Sequence, residues 1–244
     1  MKTFRRSMLS LLVLGALGCT KGTVNSNNTA PTDQAADLVT TSLAVNTDGA
    51  FNTISDVSVE AQVKVSIDTL CGTIWADSIT RKTPTGQVPS YNYTAKYSYT
   101  LNCNPNSNTF SGSTTAISSY SGSFTGPNLS STNSGSSNFT LSGLGKSSTT
   151  LGLSGEYKRA GSYQSKTDSG SNSVDIVVTD LVLTKPQHII KSGTATITVS
   201  GMSTKTGSFS YNGVLVFNGG NTATLTLNGT VYTIDLSTGI KIRH

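Results

Sequence analysis

From Tyr91 onward, apolar and polar residues alternate one by one. Tyr91, Tyr93, Ala95, Tyr97, Tyr99, Leu101 and Cys103 hold one parity, and Asn92, Thr94, Lys96, Ser98, Thr100 and Asn102 hold the other. A period of two puts one set on one face of a β-strand. The same alternation over Val57, Val59, Ala61, Val63, Val65 and Ile67 predicts an earlier strand. More strands are predicted over 112–124, 137–144, 149–158, 173–184, 193–200, 207–217 and 223–236, with a short terminal one around 240–242. Asn228-Gly229, between Leu225-Thr226-Leu227 and Val231-Tyr232-Thr233-Ile234, has the residues a type I′ hairpin turn needs. Asn212-Gly213 is a second, weaker turn pair. The stretch 130–137 holds only Ser, Thr, Asn and Gly and predicts an exposed loop. Helical spacing occurs once, in Ala35, Leu38, Val39, Ser42 and Leu43, with Thr32 or Asp33 as N-cap and Asp48-Gly49 as the end. Without helices alternating between the strands, a parallel sheet is excluded. The expected fold is all-β: an antiparallel meander of about ten strands, near the limit for an open sheet. It should form a curved sheet, barrel-like or sandwich, with one short N-terminal helix.

The N-terminus follows another pattern. Lys2, Arg5 and Arg6 precede an apolar run from Met8 to Leu17, and then come Gly18, Cys19 and a polar stretch. Ten apolar residues are too few for a transmembrane helix, which needs about 20. The order of basic flank, apolar run and small residue marks an export signal. With Ala16, Leu17 and Gly18 before Cys19, it resembles the signal and lipobox of bacterial lipoproteins. That resemblance implies a leader over 1–18 and an acylated Cys19, hence anchoring by lipid rather than by a span. Residues 19–32 then read as a flexible tether and 33–244 as one all-β domain. Thr20, rather than Asp, follows the cysteine, which under the usual sorting pattern implies the outer membrane.

Composition narrows the partners. The formal charge of +5 falls to +2 once Lys2, Arg5 and Arg6 leave with the leader, and charged residues are 12% of the chain. No basic stripe remains, so nucleic acid is not expected as a partner. In an exported chain, Cys71 and Cys103 read as a disulfide.

Candidate chemistry is sparse. The histidines are His188, beside Pro186-Gln187 in a turn, and the terminal His244, so no histidine metal centre or acid–base pair is expected. Gly-x-Ser-x-Gly and Ser-x-x-Lys are absent. Gly143-Leu144-Gly145-Lys146-Ser147 resembles the end of a phosphate loop but has Thr140 where the leading glycine belongs. Asp168-Ser169-Gly170-Ser171-Asn172 has oxygen-bearing side chains but lacks the full alternation of a calcium loop. Of the acids, Asp175 and Asp180 fall on opposite faces of a regular strand. Glu60, Asp77, Glu156 and Asp168 meet only if the fold gathers them, as a glycosidase would require. Trp75, Tyr91, Tyr93, Tyr97 and Tyr99 form a candidate ligand face, either as core or as an open surface for sugar rings or an apolar ligand.

The chain also resembles uncharacterised Ser/Thr-rich lipoproteins of the Bacteroidota type. The resemblance lies in Cys19, Ala35-Ala36-Asp37-Leu38, Cys71-Gly72, Tyr97-Ser98-Tyr99-Thr100-Leu101-Asn102-Cys103 and the closing hairpin from Ala223 to Tyr232. It implies no particular activity. The expected function is therefore a lipid-anchored envelope or surface protein, not an enzyme, with a structural, adhesive or glycan-binding role and no cofactor. A periplasmic carrier of an apolar small molecule is the first alternative, and a glycoside hydrolase with dispersed carboxylates the second.

Overall fold

The computed structural model describes residues 29–67 and 70–244. The leader, Cys19 and most of the expected tether lie outside the described residues. Helix α1 (Thr29–Leu43) begins inside the stretch expected to be tether. A 3-10 turn (Val45–Thr47) and helix α2 (Ala50–Ile67) follow. Eleven strands complete the chain: β1 (Ile74–Lys82), β2 (Ser90–Cys103), β3 (Phe110–Thr125), β4 (Leu129–Ser142), β5 (Thr150–Ser165), β6 (Ser169–Thr184), β7 (Ile190–Ser203), β8 (Gly207–Gly219), β9 (Thr222–Leu227), β10 (Thr230–Asp235) and β11 (Lys241–Arg243). Each pairs antiparallel with its neighbour in sequence order, and β1 and β11 remain unjoined edges. The result is one curved, open sheet, as the alternating pattern predicts.

Helix α2 corrects the strand expected over 57–67. The buried residues Ala50, Phe51, Ile54, Val57, Ser58 and Ala61 recur at spacings of three and four, which is the stripe of an amphipathic helix. Val59 and Val63, assigned to the same face as Val57 by a period of two, stand 44% and 46% exposed. The alternation is real, but the pattern begins earlier, at Ala50. Gly49 makes the turn into α2 possible. A Cβ there would lie 2.6 Å from the Leu43 carbonyl carbon and 2.7 Å from the Ser42 oxygen, so the chain can fold back on the end of α1 only without a side chain.

Two turn assignments are also corrected. The 130–137 stretch lies inside β4, not in a loop. Its inward residues Ser131, Asn133 and Ser137 are buried but paired: Ser131 donates to the Ser162 carbonyl (2.8 Å), and Ser118 and Ser137 share a 2.7 Å bond. Asn212-Gly213 lies within β8, where Gly213 pairs with Leu227. Asn228-Gly229 does form the β9–β10 turn, with φ of 47° and 78°, the left-handed region that glycine occupies without cost and asparagine tolerates.

Both helices pack on the concave face of the sheet. Their inner sides join Tyr93, Tyr97, Phe139, Leu153, Tyr157, Ile176, Ile197, Leu215 and Tyr232 in one core cluster, and Phe51 of α2 meets Phe217 of β8 edge-on at 5.5 Å. The convex face is mostly Ser, Thr and Asn, with Ile117, Val177, Val214 and Val216 exposed among them. The disulfide joins Cys71, just before β1, to Cys103 at the end of β2, with Cα atoms 4.9 Å apart. Among the described residues, no helix is long and apolar enough to cross a membrane.

Candidate functional site

The aromatic face is assembled as the pairing of β1 with β2 requires. Trp75 sits opposite Tyr99, and their rings stack at 5.1 Å and 8°. Tyr97 lies 5.9 Å from Tyr99. Helix α2 covers this row, and the Tyr97 hydroxyl donates to Asp56 at 2.7 Å. Tyr93, Tyr97 and Tyr99 are buried, while Trp75 and Tyr91 are half-buried against the core. These rings serve as packing surface, with α2 standing where a ligand would stack.

The concave face also holds a buried cation. Arg159 of β5 is 2% exposed. It donates to the Thr41 carbonyl at 3.0 Å and to the Tyr93 hydroxyl, and its guanidinium lies over the rings of Tyr93 and Phe124 at 5.2 and 5.3 Å. Burial pushes the Tyr157 hydroxyl up to about 12 and raises those of Tyr93 and Tyr120. These tyrosines therefore stay neutral at ordinary pH, and Arg159 rests on hydrogen bonds and ring faces instead of an anion. Tyr93 passes the bond on to Asn133 Oδ1 at 2.9 Å, which explains why β4 carries buried polar residues.

A second polar node is Asp168, in the β5–β6 turn. Its carboxylate accepts from Gln34 of α1 (2.9 Å), Tyr163 (3.2 Å), Ser203 (2.7 Å), Thr204 (2.9 Å) and the N–H groups of Ser169 and Lys205. Burial alone would raise its pKa, but Ser203, Gln34, Thr204 and Ser169 outweigh burial and hold it well below the usual carboxylate range. The oxygens of Asp168 are filled by protein donors. Strand β6 turns Ser171 outward and Asn172 inward, so the Asp168–Asn172 run cannot wrap an ion as a calcium loop does.

One open feature is a seam beside α1, reaching from the β3–β4 turn to the β10–β11 turn. The β3–β4 turn approaches the β10–β11 turn across α1 and the 3-10 turn, leaving a cleft of about 440 Å³. Phe124, Pro127, Leu129 and Pro89 form its apolar side; Ile240, Thr238 and Lys241 line the opposite side, and Thr40, Thr41 and Thr47 line the helical part. The far wall is pinned. Val45 and Asn46 N–H donate to the Leu236 and Ser237 carbonyls at 2.9 and 3.1 Å, and the Asn46 amide donates to the Thr238 carbonyl at 2.7 Å. Lys241 pairs with Asp37, and Asp33 accepts from Arg243 at 3.0 Å and from Tyr232 at 2.7 Å. Sequence reading missed this site because each wall is ordinary alone. The distant turns meet only through the curvature of the sheet.

The other candidates are scattered. Glu60 pairs with Lys64 on α2 at 3.4 Å, and Asp77 is exposed on β1. Glu156 and Asp175 share Lys158 on the convex face, at 2.8 and 4.0 Å. Burial and the neighbouring Glu156 raise the Asp175 pKa. The parity expected for Asp175 and Asp180 fails, because the β6–β7 register shifts between Thr179 and Val182 and leaves Asp180 exposed at φ 53°. His188 lies in the β6–β7 turn, half-buried and bonded to Gln62 of α2, and burial lowers its pKa. Gly143–Ser147 forms the β4–β5 turn, whose Gly143 and Gly145 carbonyls accept from Lys185. This is a cation-facing loop rather than an anion cradle. Among the described residues, no three His, Cys, Asp or Glu side chains group as a metal site would require. No protein-family model matches the chain, and neither a curated protein nor a solved structure matches it.

Proposed function

We propose that the protein is a lipid-anchored envelope protein, held to the outer membrane through Cys19, that binds a glycan in the seam cleft and performs no catalysis. The observation that carries the binding role is the cleft itself. Its apolar side suits the C–H face of a sugar ring, and Thr238, Asn128 and the Asp37–Lys241 pair supply hydrogen-bonding groups around it. The interior of the sheet supports the same reading, since tyrosines and Arg159 fill the space an enclosed apolar ligand would take. The separation of Glu60, Asp77 and Glu156, and the engagement of Asp168 by protein donors, support a non-enzymatic role. The apolar part of the lining favours one second reading, an apolar small molecule carried in the cleft.

Titration of the full chain against a panel of neutral oligosaccharides tests the proposal, with a fluorescent fatty acid as the competing probe. Asn128, exposed at the cleft mouth, allows a blocking variant. Glycan binding lost in Asn128→Trp is the expected result; fatty-acid binding without glycan binding would transfer the site to the carrier reading. Anchoring is read separately: Cys19→Ser should move the protein from the membrane to the soluble fraction.

A further inference from the structure

The seam cleft continues beside α1 into a second depression of about 670 Å³. Asp37 and Asn128 line both, so the two form one groove along the helix. The far part runs beneath the β5–β6 and β7–β8 turns, which bring Lys166 and Lys205 to its rim. Three carboxylates face the same space, and each is already engaged. Asp33 is held by Arg243 and Tyr232, Asp37 by Lys241, and Asp168 by side-chain and backbone donors. Among the described residues, neither Lys166 nor Lys205 has an ion-pair partner. With Asp33 and Asp37 each paired to a cation and Asp168 held by neutral donors alone, the far end of the groove carries two ammonium groups against one carboxylate, an excess of one positive charge.

We infer that the ligand of the seam groove is an acidic glycan, a linear oligosaccharide whose ring lies in the cleft while a carboxylate reaches Lys166 and Lys205. The inference rests on the glycan reading of the cleft and adds the charge and direction of the ligand. Exposed lysines attract a carboxylate through water, so their contribution is selective for charge and screened by salt. The apolar side and Thr238 in the β10–β11 turn are indifferent to that charge. The two ends of the groove are thus separable by mutation.

Oligogalacturonate and its fully methyl-esterified form share one backbone and differ in charge, and both are titrated against the full chain. The acid should bind about tenfold tighter at low salt, a difference of about 1.4 kcal/mol, and the preference should collapse at high salt. Lys166→Gln with Lys205→Gln should erase the preference and leave ester binding unchanged; Asn128→Trp should weaken both. Equal binding of acid and ester, or a preference that survives the double lysine variant, would overturn the acidic assignment alone. Binding of neither form would overturn the glycan reading with it.

Discussion

Asp168 shows how one side chain can hold several elements at once. Its donors come from α1, from β5 and from the β7–β8 turn, so it ties the helix to two turns at the lysine end of the groove. The folded carboxyl binds a proton less readily than the unfolded one. Its stabilisation is therefore complete above the unfolded value of about 3.9 and is lost as pH falls through the lower folded value. Asp168→Asn should cost about 2–3 kcal/mol at neutral pH, seen as a lower urea midpoint. The gap from wild type should stay constant from neutral pH down to about 5 and shrink below about 4; a gap that widens in acid would contradict the assigned protonation. The sequence offers this aspartate only as part of an incomplete calcium-like run. Its real partners, Gln34 and Ser203, lie far along the chain, and no local pattern announces them.

At the level of elements, most of the sheet is legible because the period of two is clean. The row Tyr91 to Cys103 becomes β2, and Asn228-Gly229 becomes the β9–β10 turn. Legibility fails where another demand overrides the pattern. Inward Ser131 and Asn133 of β4 serve the Tyr93–Arg159 network and Ser137 pairs with Ser118, so that strand reads as a loop. In α2, β-branched valines at alternate positions mimic a strand, although Ala50, Ile54, Val57 and Ala61 carry the helical stripe. Charge substitution distinguishes the two periods. Val57→Lys places an ammonium in the core and should cost more than about 3 kcal/mol, whereas Val59→Lys should stay within about 0.5 kcal/mol. Chemical denaturation of both variants reads the difference; equal losses would restore the strand assignment.

For the whole molecule, the disulfide anchors the β1 edge of an open sheet. It closes a loop of 32 positions, worth about 3–4 kcal/mol in the chain-entropy model. Reduction should lower the unfolding midpoint by a corresponding amount; an unchanged midpoint would show that the sheet holds its first edge without it. The other edge, β11, is fastened to α1 by Lys241–Asp37 and Arg243–Asp33. The seam cleft lies between the β3–β4 and β10–β11 turns, brought together by a global curvature that the strand pattern alone cannot reveal. The central claim is that a glycan is bound there. Hydrogen exchange on the full chain, with and without a saturating oligosaccharide, tests it most directly. Protection at 126–129 and 236–241, with the convex face unchanged, is the predicted result. Unchanged exchange in both segments, or protection on the convex Ser/Thr face instead, would contradict it.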